Sequence, residues 1–284
     1  MIFRKKAIPL SAVLAAALLL GSALACKAEI SAQQTLRQTL SVKGPVHLEV
    51  TTSSGDIHVR AGANGEVAIL GKTETEYNVT FFGLFWHHDK NGVIDHLPIK
   101  QQGNQIQLGP LPENSNVSLD YWITVPQGST LVLHSASGDV DVSGVDGPLA
   151  AKTLSGDINA SNLDGRVQLN DLSGDINASI DQSPQVTVED TSGDIHLHNV
   201  HGALTVHDIS GDTTVSGAPG QNWNINNVSG DITLDLRNAG PFLLNTHTVS
   251  GDINTHHVNG NGPTVNLGNV SGDITVHESQ RTPD

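Results

Sequence analysis

From Ser54 onward one short pattern of aliphatic and polar positions keeps returning, each time directly after the tripeptide Ser-Gly-Asp. The tripeptide begins at Ser54, Ser137, Ser155, Ser173, Ser192, Ser210, Ser229, Ser250 and Ser271. The next position is Ile57, Val140, Ile158, Ile176, Ile195, Thr213, Ile232, Ile253 and Ile274, and the one after it is polar in every copy. The third is mostly apolar again, as at Val59, Val142, Leu197 and Leu234. An alternation of period two is the signature of a strand with one buried face. A turn follows, often with glycine (Gly147, Gly165, Gly202, Gly260), and then a second alternating run such as Arg166–Asn170, Gln185–Glu189 or Ala203–His207. Val167 and Leu169 are expected inside, Gln168 and Asn170 outside.

From Ser137 the copies are spaced by 18, 18, 19, 18, 19, 21 and 21 residues. A fixed period of that size means stacked supersecondary units. One coil of two short strands cannot bury its apolar stripes alone. Stacking pairs each strand with its copies about 4.8 Å above and below and joins the aliphatic positions into interior ladders. The pattern therefore predicts an all-β chain, a parallel β-solenoid with two short strands per coil of about 18–21 residues over 137–279. A β-sandwich would need a longer and less uniform period. The nine-residue unit of a calcium β-roll is absent.

Upstream, residues 46–136 hold one tripeptide and several strand-like runs. They read as irregular first coils or a small β-cap. Residues 26–45 read as a polar tether and 280–284 as a tail. Tyr77, Phe81, Phe82, Phe85 and Trp86 concentrate half of the ten aromatic residues in one stretch, with His87, His88 and Asp89 next to them. Two readings stand: a hydrophobic plug over the solenoid end, or a partner-binding loop of Phe81, Phe82, Phe85 and Trp86.

The first 25 residues change the picture of where the protein works. Arg4, Lys5 and Lys6 precede an apolar run over 7–20, and small residues then lead to Ala23-Leu24-Ala25-Cys26. That order is a secretory signal peptide, too short for a comfortable membrane span. Cys26 is the one cysteine, so the fold stands without an internal disulfide. Its place resembles a bacterial lipobox, with Ala23 where Leu is usual. Lipidation at Cys26 and ordinary cleavage after Ala25 both suit the stretch. An exported protein of the periplasm or cell envelope is expected, anchored through Cys26 if lipidated. Removing 1–25 lowers the 14 Lys and Arg to 11 against 29 Asp and Glu. So acidic a chain repels nucleic acid and anionic lipid.

The run Val125-Pro-Gln-Gly-Ser-Thr-Leu-Val-Leu-His-Ser-Ala-Ser-Gly-Asp-Val140, followed by Leu154-Ser-Gly-Asp-Ile158, resembles a bacterial putative-adhesin domain family of unknown function with repeated Ser-Gly-Asp-Ile/Val motifs. The resemblance extends over roughly 46–277 and implies a β-solenoid at the cell envelope. It carries no known chemistry. The segment from Tyr77 to Lys100 has no counterpart in the family pattern.

The repeat stacks Asp139, Asp157, Asp175, Asp194, Asp212, Asp231, Asp252 and Asp273 at one corner. Charges about 5 Å apart repel by about 0.8 kcal/mol in water and about 3 at an effective dielectric of 20. Turn hydrogen bonds, or bridging Ca²⁺, would offset this. His196 and His198 on one strand, with His256 and His257, read as solvated surface, because nothing completes a metal set. No Gly-x-Ser-x-Gly, phosphate-cradling loop or His-Glu-x-x-His is present. Basic residues from Ser137 to Ser279 are only Lys152, Arg166 and Arg237. The expectation is a protein that is not an enzyme, with no cofactor and no metal. It would be an envelope binding or scaffold module presenting a polar face to a glycan or envelope protein, touching membrane only through a lipid anchor. The alternatives are a self-assembling, homo-oligomeric solenoid and a polysaccharide-active β-helix enzyme.

Overall fold

The computed structural model describes residues 26–82, 85–86, 96–111 and 117–279. Residues 1–25, and so the signal-peptide expectation, lie outside it. The described residues form two sheets, of 13 and 11 strands, and no helix. The chain alternates between a front sheet and a back sheet, one strand of each per coil. Ile57, Val140, Ile158, Ile176, Ile195, Thr213, Ile232 and Ile274 stand in parallel register in the front sheet. All eight are fully shielded from solvent. The protein is an all-β parallel solenoid, and these residues are one side of its core. The other side is the back-sheet column through Leu131, Leu149, Val167, Val186, Leu204, Trp223 and Val265. Trp223 is fully buried and donates its indole N–H to the Gly202 carbonyl at 2.9 Å, which satisfies its one polar atom.

The corner glycines let adjacent coils approach. Gly138 and Gly156 have φ of 136° and 141°, a region closed to most side chains. A Cβ at Gly156 would collide with the Gly138 carbonyl of the coil beneath. Asn162 and Asn199, at φ 53° and 59°, sit where the front-sheet register slips between Ala160 and Leu163 and between Leu197 and Val200. Asparagine is among the few residues that tolerate this bulge conformation.

At the N-terminal end the pattern changes. The strands are β1 (Cys26–Ser41), β2 (His47–Thr52), β3 (Ile57–Gly62), β4 (Glu66–Phe82), β5 (Phe85–Trp86), β6 (Ile99–Gln102), β7 (Gln105–Leu108) and β8 (Val117–Pro126). Residues 26–41, expected as a tether, are instead the edge strand β1, antiparallel to β4 over its whole length. Leu40 is buried there and Leu36 packs on the core. Those two apolar side chains in a polar stretch are what dock it. β4 in turn runs antiparallel to β8, so this end of the front sheet is closed by a two-stranded cap. β6 closes the back sheet the same way, against β7.

Coil order departs from chain order at both ends. The β2–β3 coil lies between the β7–β8 coil and the coil that begins at Thr130. At the other end the coil of 264–279 lies between that of 223–237 and that of 243–255. The outermost C-terminal coil is thus 243–255, not the last one in sequence. Ile253 shows the consequence: it holds the core position of its coil, yet it is 44% exposed because no strand among the described residues stacks above it.

Candidate functional site

Three features repeat along the solenoid, and a fourth is confined to one place. The first is the aspartate ladder. The backbone N–H of each aspartate donates to Oδ1 of the aspartate one coil away: Asp157 to Asp139, Asp175 to Asp157, Asp194 to Asp175, Asp212 to Asp194, each at 2.9 Å. The chain of bonds continues from Asp231 through Asp273 to Asp252. Below Asp139 it runs through Asp56 to Asp120. A charge-assisted bond to each carboxylate but that of Asp252, at the end of the ladder, offsets the repulsion between neighbours. Among the described residues no group of three His, Cys, Asp or Glu side chains is placed to hold a metal ion.

The second is a buried polar column two residues before eight of the nine tripeptides: Thr52, Ser135, Thr153, Asp171, Asp190, Asp208, Asn227 and Asn269, all at most 7% exposed. Asp190 Oδ1 accepts from the Thr191 and Ser192 amides, and Asp208 Oδ1 from Ser210. Asn227 Oδ1 accepts from the Ser229 amide and its Nδ2 donates to the Gly211 carbonyl of the coil beneath at 2.7 Å; Asn269 Nδ2 donates to the Gly230 carbonyl at 2.8 Å, while its Oδ1 is buried without a partner. Aspartate in its charged form has no such donor, and Oδ2 of Asp171 and of Asp190 is buried without a partner. Burial pushes the Asp190 carboxyl up to about 6, partly countered by its two amide bonds. Burial likewise raises Asp208 to about 6, against the bond from Thr213. Sequence reasoning missed this column. Its signal was available, since the position is polar in all nine copies.

The third is the residue between that column and the tripeptide. Leu154, Leu172, Ile209, Val228 and Val270 are each about half exposed, and Val249 is 70% exposed. They form an aliphatic ridge down one corner, interrupted by Thr191.

The fourth is a groove of about 850 Å³ on the outer face of the front sheet, towards its N-terminal end. Its floor is two rows of outward side chains in strand register. Trp122, His58, Asp141, Asn159 and Asn177 form one row. Thr124, Arg60, Ser143 and Ser161 form the other. Arg37 and Thr39 of β1 supply a wall, and His198 lies at the far end. The Trp122 ring is held rigidly: His58 stacks on it at 4.9 Å and Lys72 Nζ lies 3.9 Å over it. His58 Nδ1 is 2.7 Å from Asp141 Oδ2. Arg60 Nε donates to Thr124 Oγ1 at 3.2 Å, which fixes the guanidinium plane. Burial raises the carboxyl of nearby Asp120, while the Asp56 amide lowers it.

Residues 123–200 match the Toastrack DUF4097 family. No curated protein matches the chain. Solved structures similar to it include a putative cell adhesion protein from Clostridium sporogenes ATCC 15579, at 11% identity, covering 87% of this chain and 100% of that one, with a TM-score of 0.23. Another is a putative adhesin from Bacteroides fragilis NCTC 9343, at 12% identity, 86% and 97% coverage and a TM-score of 0.33. The matched segment supplies Thr124, Asp141, Ser143, Asn159, Ser161, Asn177 and His198 to the groove. Arg37, His58, Arg60 and Trp122 come from outside it.

The remaining sequence expectations fall as follows. Cys26 is the first residue of β1. Phe81 and Phe82 end β4 and pair with Trp86 and Phe85 of β5 in a short antiparallel return at the sheet margin. Their side chains, and His87, His88 and Asp89 altogether, lie outside the described residues. His196 and His198 face outward, and His198 Nδ1 is 3.1 Å from Ser216 Oγ. His257 is engaged otherwise: it stacks on Phe242 at 3.9 Å and approaches Glu278 at 2.5 Å. Among the described residues no helix is long and apolar enough to cross a membrane.

Proposed function

We propose that the protein is a non-enzymatic binding module of the cell envelope, exported by residues 1–25 and anchored through a lipid on Cys26. Its ligand, a glycan or an envelope protein, meets the outer face of the front sheet. One observation carries the reading: the polar rows from Trp122 to Asn177 and from Thr124 to Ser161 are in register and line a groove, so side chains the fold leaves free are collected in one place. Asp recurs in every coil and is consumed by the ladder, which favours a scaffold over a catalytic pair. The Phe81, Phe82, Phe85 and Trp86 return is a second contact surface at the same end of the sheet.

The test is a binding screen of the tag-free mature chain against an envelope glycan panel and envelope protein extract. Retention of a defined glycan or protein, lost on substituting groove residues, is the expected result. Retention of nothing, or turnover of any polysaccharide, overturns the reading. For the anchor, the native chain should have the mass of a form beginning at a lipid-modified Cys26, and an unmodified mass removes that part.

Self-assembly is the second reading. The exposed aliphatic ridge and the end coil of 243–255, with Leu243, Val249 and Ile253 exposed, favour it. Sedimentation at rising concentration separates the two, since a concentration-independent monomer excludes assembly.

A further inference from the structure

The groove is positive in a strongly negative protein. The chain has 29 Asp and Glu against 14 Lys and Arg, yet the groove is lined by two arginines, Arg37 and Arg60, and one carboxylate, Asp141. Asp141 is already committed to His58. Among the described residues neither arginine is paired with a carboxylate, and both are exposed. Lys72 lies over Trp122, with the Asp120 carboxylate as its counter-charge. An arginine fork left open beside ordered amide and hydroxyl groups is suited to a carboxylate taken bidentately. The field of the surrounding acidic surface would repel such a ligand everywhere else, so the groove selects position as well as charge.

The spacing narrows the class of ligand. Asn159 and Asn177, like Ser143 and Ser161, recur once per coil, about 4.8 Å apart along the solenoid axis. In an extended β-1,4-linked chain each pyranose is turned about half a revolution from the last, so equivalent groups recur every second residue, close to the advance of two coils. A peptide advances about 3.3 Å per residue and loses register within two coils. We infer that the groove binds a linear, β-linked, uronate-bearing polysaccharide along the solenoid axis. Arg37 and Arg60 take its carboxylates, and the Asn and Ser rows take its hydroxyls. The inference rests on the binding-module reading and adds the ligand class and the residues.

The experiment is calorimetry of the mature chain with three probes: a hexamer of β-1,4-mannuronate, the neutral β-1,4-mannose hexamer, and hexaglutamate. The mannuronate hexamer should bind at least about tenfold more tightly than either other probe and weaken as salt is raised. R37S and R60S should each weaken it about tenfold with unchanged melting temperature, since both side chains are exposed. N177D, which puts a negative charge on the groove floor, should do the same. Equal binding of the neutral hexamer removes the role of charge. Equal binding of hexaglutamate removes the sugar. No binding of mannuronate, or binding indifferent to all three substitutions, overturns the inference. In either case retention of another glycan or protein in the wider screen leaves the module reading standing.

Discussion

At the scale of single residues, the buried column two places before each tripeptide sets a cost that the protein meets in two ways. Asn227 uses both its acceptor and its donor, and Asn269 its donor. Asp171, Asp190 and Asp208 supply the acceptor alone when ionised, and they sit on successive coils, so Asp190 also feels the charge of Asp171, and Asp208 that of Asp190. The pH dependence follows in sign. Asp190 and Asp208 titrate near 6 when folded, raised from 3.8. Between about pH 4 and 6 the folded chain holds protons that the unfolded chain has released, so stability falls as pH rises through that window. Melting should therefore be higher at pH 5 than at pH 7.5. Asp190→Asn should raise the melting temperature at pH 7.5 and flatten its pH dependence, because Nδ2 can reach the Gly174 carbonyl as Asn227 reaches Gly211. A lower melting temperature for that variant at pH 7.5 would count against the account. At the corners, Gly156→Ala should destabilise by several kcal/mol, since a Cβ meets backbone rather than a flexible side chain; denaturant titration reads this directly.

At the scale of the element, one strand position has two different environments. Ile176 has Ile158 on one side and Ile195 on the other and no exposed surface. Ile253 has Ile274 on one side only. Truncating Ile176 to Ala should cost about 2–5 kcal/mol, as for a well-packed core site that cannot collapse. The same truncation at Ile253 should cost less than about 1.5 kcal/mol, the value of partial burial. Equal costs in urea titration would mean that a further chain covers the end coil in solution. The alternation after each tripeptide made these strands legible, and it assigned Val167 and Leu169 inward correctly. β1 was not legible, because its polar residues suit an exposed edge strand as well as a tether. Only Leu36 and Leu40 report its docking, and two residues do not set a period.

At the scale of the whole molecule, the two ends are built alike: the coil nearest each chain end is tucked one place inside. The 243–255 coil pairs with strands of 264–279 and with no other strand among the described residues. Deleting 263–284 should therefore melt 243–255 as well, and circular dichroism should register the loss of two coils. Hydrogen exchange should show Leu267 and Ile274 better protected than Leu244 and Ile253, the reverse of simple fraying from the C-terminus. Faster exchange at 264–279 would contradict the coil order. The groove belongs to this scale too. Arg37, Arg60 and Asn159 lie far apart in sequence and share no motif, so no local pattern could join them. They meet because the antiparallel cap places β1 at the margin of the front sheet.

The repeat, the two faces of each strand, the corner glycines and the stacked aspartates are all written in local alternation and in turns between near neighbours, so they can be read along the chain. Which coil stacks on which, what β1 does, and where the few cations gather emerge only once the coils are assembled. Coils with the same aliphatic pattern can stack in any order with similar burial, so periodicity is silent on order. The choice falls to the connections, and the two spacings of 21 residues near the C-terminus are the extra length that stepping past a coil and back requires.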